Sequence, residues 1–402
     1  MPFVISQLKD EIELAAERAA VSRPLRESLL GQLARALARD ADLTVLSQRL
    51  EAVLARGDAA HYRGARFQVG AGAEPANAVI DLGTVMPEQY ALIGVDGSQA
   101  LPDRHASVPW GLAKADAVCI VYGHPDGLTL SGAIQGRSFA RFWDESALAA
   151  NGREGEPMTP ADISAERDLM EREHMATCAE MARAAGLPAF VIADGSLMPF
   201  ALLNDAAWRG PGDRRAWEML GRLSRALSRI KVAGAIPVGL IDRPNSNAVL
   251  RACAVGIGMS HDALPPGLVD RALYAQLLAP GQRGALFDPN WRVNDREHIG
   301  RDEHDLCAFY ARMDGADPHA NVVRVEVPRW ATDPTTLDAL TAVLARQTRI
   351  GAGYPFILKA AHEQAVFTRD EQAQVQRTIE AAFLRRGMTL TPSAKLSAKE
   401  LR

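Results

Sequence analysis

The sequence predicts an α/β protein in which short buried strands alternate with helices, and three observations predict it. Two apolar runs, Ala91-Leu92-Ile93-Gly94-Val95 and Phe190-Val191-Ile192-Ala193, each stop at the same Asp-Gly-Ser triplet, beginning at Asp96 and at Asp194. Short continuous apolar runs bounded by turn residues read as strands buried on both faces. A long helical pattern from about 161 to 185 separates the two, which is the strand, helix, strand order of a parallel unit. The chain has 402 residues, of which 48% are hydrophobic and 23% charged. That composition supplies a substantial core and excludes a disordered or fibrous chain.

Residues 1 to about 60 read as two amphipathic helices with a break near Ser22-Arg23-Pro24 and apolar positions Leu29, Leu30, Leu33 and Leu37 at helical spacing. Such a pair can pack on the core or on a partner. From Arg66 to Val95 the pattern turns to short strands with Gly and Pro punctuation, Val108 to Tyr122 is a long β-rich run, and Leu128 to Ile134 reads as a further strand. A Gly- and Pro-marked loop, Asn151 to Pro160, precedes the long helix. Strand and helix signals then alternate to about residue 255, and 280 to 320 reads as polar loop. Val322 to Val327 reads as a strand ending at Pro328, followed by helices over about 335–350, 355–366 and 370–387. No repeat at solenoid periods and no low-complexity tract interrupts this order.

The formal net charge of −4 carries no global signature of nucleic-acid binding, so any such surface must be local. Arg214, Arg215, Arg222, Arg225 and Arg229 cluster on a segment with helical periodicity, for which a solvated outer face is the expected role. The four cysteines, at 119, 178, 253 and 307, lack paired metal spacing and read as buried free thiols. No apolar run approaches the length of a bilayer span, which predicts a soluble, cytoplasmic protein without membrane contact. Asp295, Glu297, His298, Asp302, Glu303, His304 and Asp305 alternate with Arg292, Arg296 and Arg301, which suggests a salt-laced surface rather than a metal centre.

The chemistry lies in the strand-end acids. If the two strands are parallel neighbours, Asp96 and Asp194 come within reach of one divalent cation, an arrangement suited to phosphodiester cleavage, although Asp-Gly is also ordinary turn chemistry. A third acid would come from the helix between them, which carries Glu166, Glu171, Glu173 and Glu180. At about 100° per residue, Met170, His174, Met175, Cys178, Met181, Ala182 and Ala185 form one stripe that includes Glu171, while Glu173 and Glu180 fall opposite. Five strand residues span about 16 Å, the length of about 11 helical residues; counting back from Ala185 keeps Glu171 and Glu173 and excludes Glu180. A glutamate inside an apolar stripe needs a partner, a proton or a metal, which prefers Glu171.

Four segments together resemble the NurA nuclease family, in its bacterial branch: Asp96-Gly97-Ser98-Gln99-Ala100-Leu101-Pro102-Asp103-Arg104-His105, Asp194-Gly195-Ser196-Leu197, Arg324-Val325-Glu326-Val327-Pro328-Arg329-Trp330, and Gly353-Tyr354-Pro355 followed by Ala361-His362-Glu363-Gln364-Ala365. The resemblance implies a ribonuclease H-like mixed five-stranded sheet flanked by helices, the strand of the first acid parallel and adjacent to that of the second. N-terminal and C-terminal helical additions complete the expectation, with boundaries at 1–65 (a dimer or partner contact), 66–370 (the nuclease domain) and 371–402. It implies a catalytic set of Asp96, Glu171, Asp194, Tyr354 and His362, with Asp96, Glu171, Asp194 and His362 as metal ligands. Three carboxylates and an imidazole suit manganese, with magnesium as the alternative.

Arg104 and His105, eight and nine residues after Asp96, are candidates for contact with a substrate phosphate, and Asp242 is a candidate ligand that a strand-end turn before Pro244 explains equally. His362-Glu363 is not a zinc-protease motif, since Val366 stands where a second histidine is required. The function implied by the resemblance is a divalent-metal-dependent DNA nuclease, a 5′ to 3′ exonuclease and single-strand endonuclease in DNA end resection or repair. Its implied partners are a second copy, as a homodimer, and a HerA-type hexameric ATPase. The rival readings are a ribonuclease H-like enzyme on RNA or branched DNA, and an inactive dimeric adaptor for an ATPase.

Overall fold

The computed structural model describes residues 8–39, 43–55, 62–67, 73–101, 110–144, 160–199, 214–289, 304–313 and 322–388. Its centre is a mixed sheet. Strands β3 (Tyr90–Ala100) and β4 (Gly111–Tyr122) pair antiparallel, β5 (Phe139–Trp143) pairs antiparallel with β4, and β6 (Ala189–Asp194) lies parallel to β3 on its other side. Strand β7 (Ile236–Ile241) continues parallel to β6. The order β5-β4-β3-β6-β7, with the two acid-bearing strands parallel and adjacent, is the expected five-stranded core. The sheet does not stop there. Beyond β7 come β11 (Val322–Pro328) and β10 (Leu306–Arg312), both antiparallel to their neighbours, then β9 (Phe287–Pro289) and β1 (Ala65–Phe67). Strands β2 (Val79–Asp81) and β8 (Gln282–Gly284) hang from β10, bringing the sheet to eleven strands.

Helices cover both faces because the strand residues alternate between two cores. Ala91, Ile93 and Val95 of β3 point into one cluster, under α4 (Pro160–Ala184) and α5 (Arg214–Ala233). Leu92, with Ile192 and Val325, points into the other, beneath α8 (Pro334–Ile350) and α9 (Phe356–Ala365). Leu92, Ile93 and Val191 are wholly buried, and burial of each such side chain contributes about 1.5–3 kcal/mol. A third cluster joins α1 (Lys9–Arg39), α2 (Leu43–Ala55), α6 (Ala248–Gly256) and α7 (Asp270–Leu277) to β1, β9 and β10. Helices α3 (Gly127–Gln135) and α10 (Arg369–Leu384) complete the described α-helices, and a short 3-10 turn, Arg329–Ala331, follows β11. All four cysteines are buried and free.

Three local expectations fail for physical reasons. Helix α1 runs through Pro24 rather than breaking there. That stretch is exposed, so the carbonyl left by the missing N–H faces water, and an Arg23–Glu27 ion pair at 2.8 Å bridges the turn. The 128–134 segment is α3, a single-sided helix that buries Ile134, and the strand expected there is β5 instead. The segment read as polar loop, 280 to 320, contains the buried strand β10, whose apolar run Leu306-Cys307-Ala308-Phe309-Tyr310 belongs in the sheet. The 1–65 region also divides: Leu30, Leu33, Leu37, Leu46 and Leu50 pack on the core, while Ile12, Leu14, Val21 and Leu25 are exposed.

Candidate active site

Strands β3 and β6 place the two aspartates. Val95 pairs in parallel register with Ala193, so Asp96 and Asp194 follow as lateral neighbours. Adjacent strands lie about 4.8 Å apart, and both side chains point to the α8/α9 face. Asp194 is exposed at the strand end as a residue, yet desolvation at its carboxyl, with the charges of Asp96 and Asp242, raises its pKa against the pull of Tyr354 and His362.

Helix α9 is fitted to β3 along its length. A Cβ on Gly94 would stand 2.6 Å from the Ile357 carbonyl oxygen, so only glycine lets the helix backbone approach the strand this closely. His362 Nδ1 meets Asp96 Oδ2 at 2.7 Å, and Ser98 Oγ donates to the Ala365 carbonyl. Four strand residues, from Gly94 to Ser98, rise about 13 Å; the eight helical residues from Ile357 to Ala365 rise about 12 Å. The two elements therefore stay in step, and three successive ties hold the imidazole over the first aspartate. Lys114 of β4 adds a fourth, donating to the Gln364 carbonyl at 3.3 Å as a cation at the helix C-terminus. The imidazole side chain is 65% exposed, and engagement of Nδ1 leaves Nε2 for another partner.

Tyr354 enters from the turn between α8 and α9, where Ala352 and Gly353 adopt positive φ of 55° and 112°. Gln347 fixes that turn, accepting from the Ile357 N–H at 3.1 Å and donating to Tyr122 Oη at 2.8 Å. The Tyr354 hydroxyl is buried and faces Asp194, whose charge, after desolvation, raises the phenol pKa. It is directed at Asp194 as a hydrogen-bond donor in a geometry looser than an ordinary bond.

Glu171 arrives from the opposite face. It is 3% exposed on α4, and its Oε1 lies where a Cβ on Gly97 would stand, 2.7 Å away. The absent side chain is what admits a carboxylate from α4 to the tip of β3 beside Asp96. Arg172 Nη1 holds Oε2 at 3.0 Å and Arg167 Nε holds Oε1 at 3.3 Å. Burial pushes the Glu171 carboxyl well above the usual range, with Asp168 and Asp96 adding to the rise and the two arginines opposing it. Glu173 and Glu180 lie away from the strand ends, paired with Arg222 at 2.8 Å and Arg229 at 2.7 Å.

Arg104 and His105 fall outside the described residues, as do the acids and histidine at 295–303. Asp242 stands past the end of β7 and acts on Asp194 and Tyr354 through its charge. Sequence reasoning missed the groups that hold the second triplet. Arg172, 2% exposed, donates through Nε to the Leu197 carbonyl at 3.1 Å and through Nη2 to the Ser196 carbonyl at 2.5 Å. Glu326 of β11, fully buried, accepts from Ser196 Oγ at 2.7 Å and the Leu197 N–H at 3.1 Å, and pairs with Arg324 at 2.8 Å. The alternation of Arg324 and Glu326 with valines was the available signal.

The donor set is hard: carboxylate oxygens, an imidazole nitrogen and a phenol, which suits manganese or magnesium in kind. As the side chains stand, no three His, Cys, Asp or Glu among the described residues converge on one point. Asp96 is engaged by His362 and the Gly97 N–H, and Glu171 by its arginines.

Fold and site define an α/β protein with two carboxylates at the ends of adjacent parallel strands, an imidazole on the first and a phenol against the second. The model of the NurA domain matches residues 90–367. The chain belongs to the NurA family, a family of nucleases. Comparison with curated proteins gives no match. Among solved structures the chain is similar to Argonaute of Marinitoga piezophila in complex with a 5′ OH guide RNA and target DNA, at 11% identity and a TM-score of 0.24, covering 69% of this chain and 30% of that one. It is likewise similar to Drosophila Piwi, at 10% identity and a TM-score of 0.25, covering 68% of this chain and 29% of that one. The match thus spans under a third of each of those proteins, and likeness at this level bears on no activity.

Proposed function

We propose that this protein is a divalent-metal-dependent DNA nuclease, a 5′ to 3′ exonuclease and single-strand endonuclease, acting in DNA end resection or repair as a homodimer in the cytoplasm with a HerA-type hexameric ATPase. The observation that carries the metal reading is the lateral pairing of Asp96 and Asp194 at parallel strand ends, with His362 on one and Tyr354 facing the other. Family membership supports nuclease chemistry. Asp96, Asp194 and His362 would hold manganese or magnesium, with Glu171 recruited from its arginines; such an ion supplies charge stabilisation and an activated water for in-line displacement. Asp96 orients the imidazole so that Nε2 faces outward, toward a phosphate or an ion. Tyr354 offers its hydroxyl to Asp194 or to a substrate oxygen. Arg167 and Arg172 keep Glu171 at the strand tip. Among the described residues no helix is long and apolar enough to cross a membrane. With a net charge of −4, a ring ATPase that grips the DNA would compensate for weak capture by this chain.

The test is cleavage of labelled single-stranded DNA, duplex DNA and RNA with manganese, by wild type, Asp96→Ala and Asp194→Ala, alongside manganese-soaked crystals read for anomalous peaks. Cleavage of DNA lost in both variants, with a peak between residues 96 and 194, is expected. Wild-type cleavage in either variant refutes the proposal, and an unaltered lack of cleavage in all three favours the adaptor reading.

A further inference from the structure

A cavity lies along α4, beginning two residues beyond Glu171 and running to Met181, which is about 12 Å of helix, away from the strand ends. It has a volume of about 580 Å³ and is walled by α4, α5 and the segment leading into β5, within the size range of small-ligand sites. Its charged residues divide into two kinds. Arg222 and Arg229 are neutralised by Glu173 and Glu180. Arg137 and Arg225 line the same cavity, are exposed, and make no ion pair or hydrogen bond among the described residues. His174, 5% exposed, also lines it, and its buried Nε2 has no partner. Phe139, 38% exposed, also lines the cavity.

Two unpaired guanidiniums recognise a phosphate group. An exposed aromatic ring offers a stacking face to a base. A buried imidazole nitrogen without a partner loses about 1–3 kcal/mol until a ligand supplies one. A plain inorganic anion would use the arginines and leave the ring and the imidazole idle. We propose that this cavity binds one nucleotide of a single-stranded nucleic acid, with Arg137 and Arg225 on its phosphate, Phe139 stacked on its base and His174 Nε2 hydrogen-bonded to the base edge or sugar. The site holds a strand on the α4/α5 side of the sheet, away from the carboxylates, without taking part in their chemistry. His174 stays neutral for this role, because burial lowers its pKa despite the nearby Asp116.

The experiment is fluorescence anisotropy with a labelled oligothymidylate in EDTA, so the result is independent of cleavage and of the metal reading. Arg137→Ala/Arg225→Ala is expected to weaken binding about tenfold or more and to reduce the salt slope by about 0.7, the value for one phosphate on a single strand. Phe139→Ala is expected to weaken it about fivefold or more. Affinities within twofold of wild type in both variants overturn the proposal. Loss with the arginine pair alone reduces the site to a plain anion site and overturns the nucleotide reading. Equal competition by dTMP at matched nucleotide concentration overturns the strand in favour of a free nucleotide.

Discussion

Replacing Gly97 with alanine tests whether the glycine serves Glu171. The added Cβ would stand 2.7 Å from Glu171 Oε1, 2.9 Å from Arg167 Cγ and 2.9 Å from the Lys114 carbonyl oxygen. Ordinary contacts need about 3.5 Å, so each neighbour must yield by roughly 0.6–0.8 Å. The Lys114 oxygen belongs to the paired strand β4 and moves least; the Glu171 carboxylate, at the end of a side chain, moves most. Overpacking of this kind costs about 1–3 kcal/mol, a few degrees in Tm for a chain of this size. Misplacement of a site group by up to 1 Å costs about 10² in rate. Gly97→Ala is therefore expected to cleave single-stranded DNA about 10- to 100-fold more slowly with manganese, while its melting temperature falls only slightly. Wild-type cleavage at an unchanged melting temperature would refute the idea that the missing side chain admits Glu171.

Glu171→Gln should abolish manganese-dependent cleavage while Glu173→Gln retains it; the opposite pattern in the same rate assay transfers the role to Glu173. Asp194 has a raised folded-state pKa, so its stabilising effect is complete below the unfolded value of about 3.9 and is lost as pH rises through the folded one. In EDTA at pH 7, Asp194→Asn should melt higher than wild type by the equivalent of about 1 kcal/mol or less after solvent screening, because it removes a desolvated carboxylate that Asp96 also repels, with the gap closing near pH 4; coincident melting curves at pH 7 would sink this. Glu326→Ala leaves Arg324 buried without its ion-pair partner, and chemical denaturation should show a loss of about 3–5 kcal/mol; a loss under about 1 kcal/mol would mean the carboxylate does not anchor the Ser196-Leu197 loop.

The acids were legible because each ends a short apolar run at an Asp-Gly turn, which reads as a buried strand, and parallel neighbours put such ends side by side. Glu171 was legible from periodicity, but Arg172 was not. The stripe argument gives α4 one apolar face, whereas α4 packs against β3, β4, β6, α3 and α5 and buries Arg172 as well. Glu326 lies in a strand that the sequence marks, but its anchoring role is not legible there. Alternating charge in a strand suggests a solvated face, and only the extension of the sheet past β7 buries β11 on both sides. Leu128 to Ile134 was read as a strand because a short apolar run fits either period, and nothing local shows that the Ser131 hydroxyl bonds back to the Gly127 carbonyl at 2.6 Å, as in a helix. The arginines of α5 were read as a solvated face; two of the three described ones bind the glutamates of α4.

The docking of α9 along β3 makes the centre a late product of synthesis. A nascent chain carries both aspartates and Glu171 long before it reaches Tyr354 and His362, and the Glu326 anchor for the second triplet also follows them. A ribosome-bound fragment ending before residue 350 therefore holds its acids without the phenol, the imidazole or the helix that aligns them, and the complete constellation comes into being only when the last third of the polypeptide folds back across the first strands.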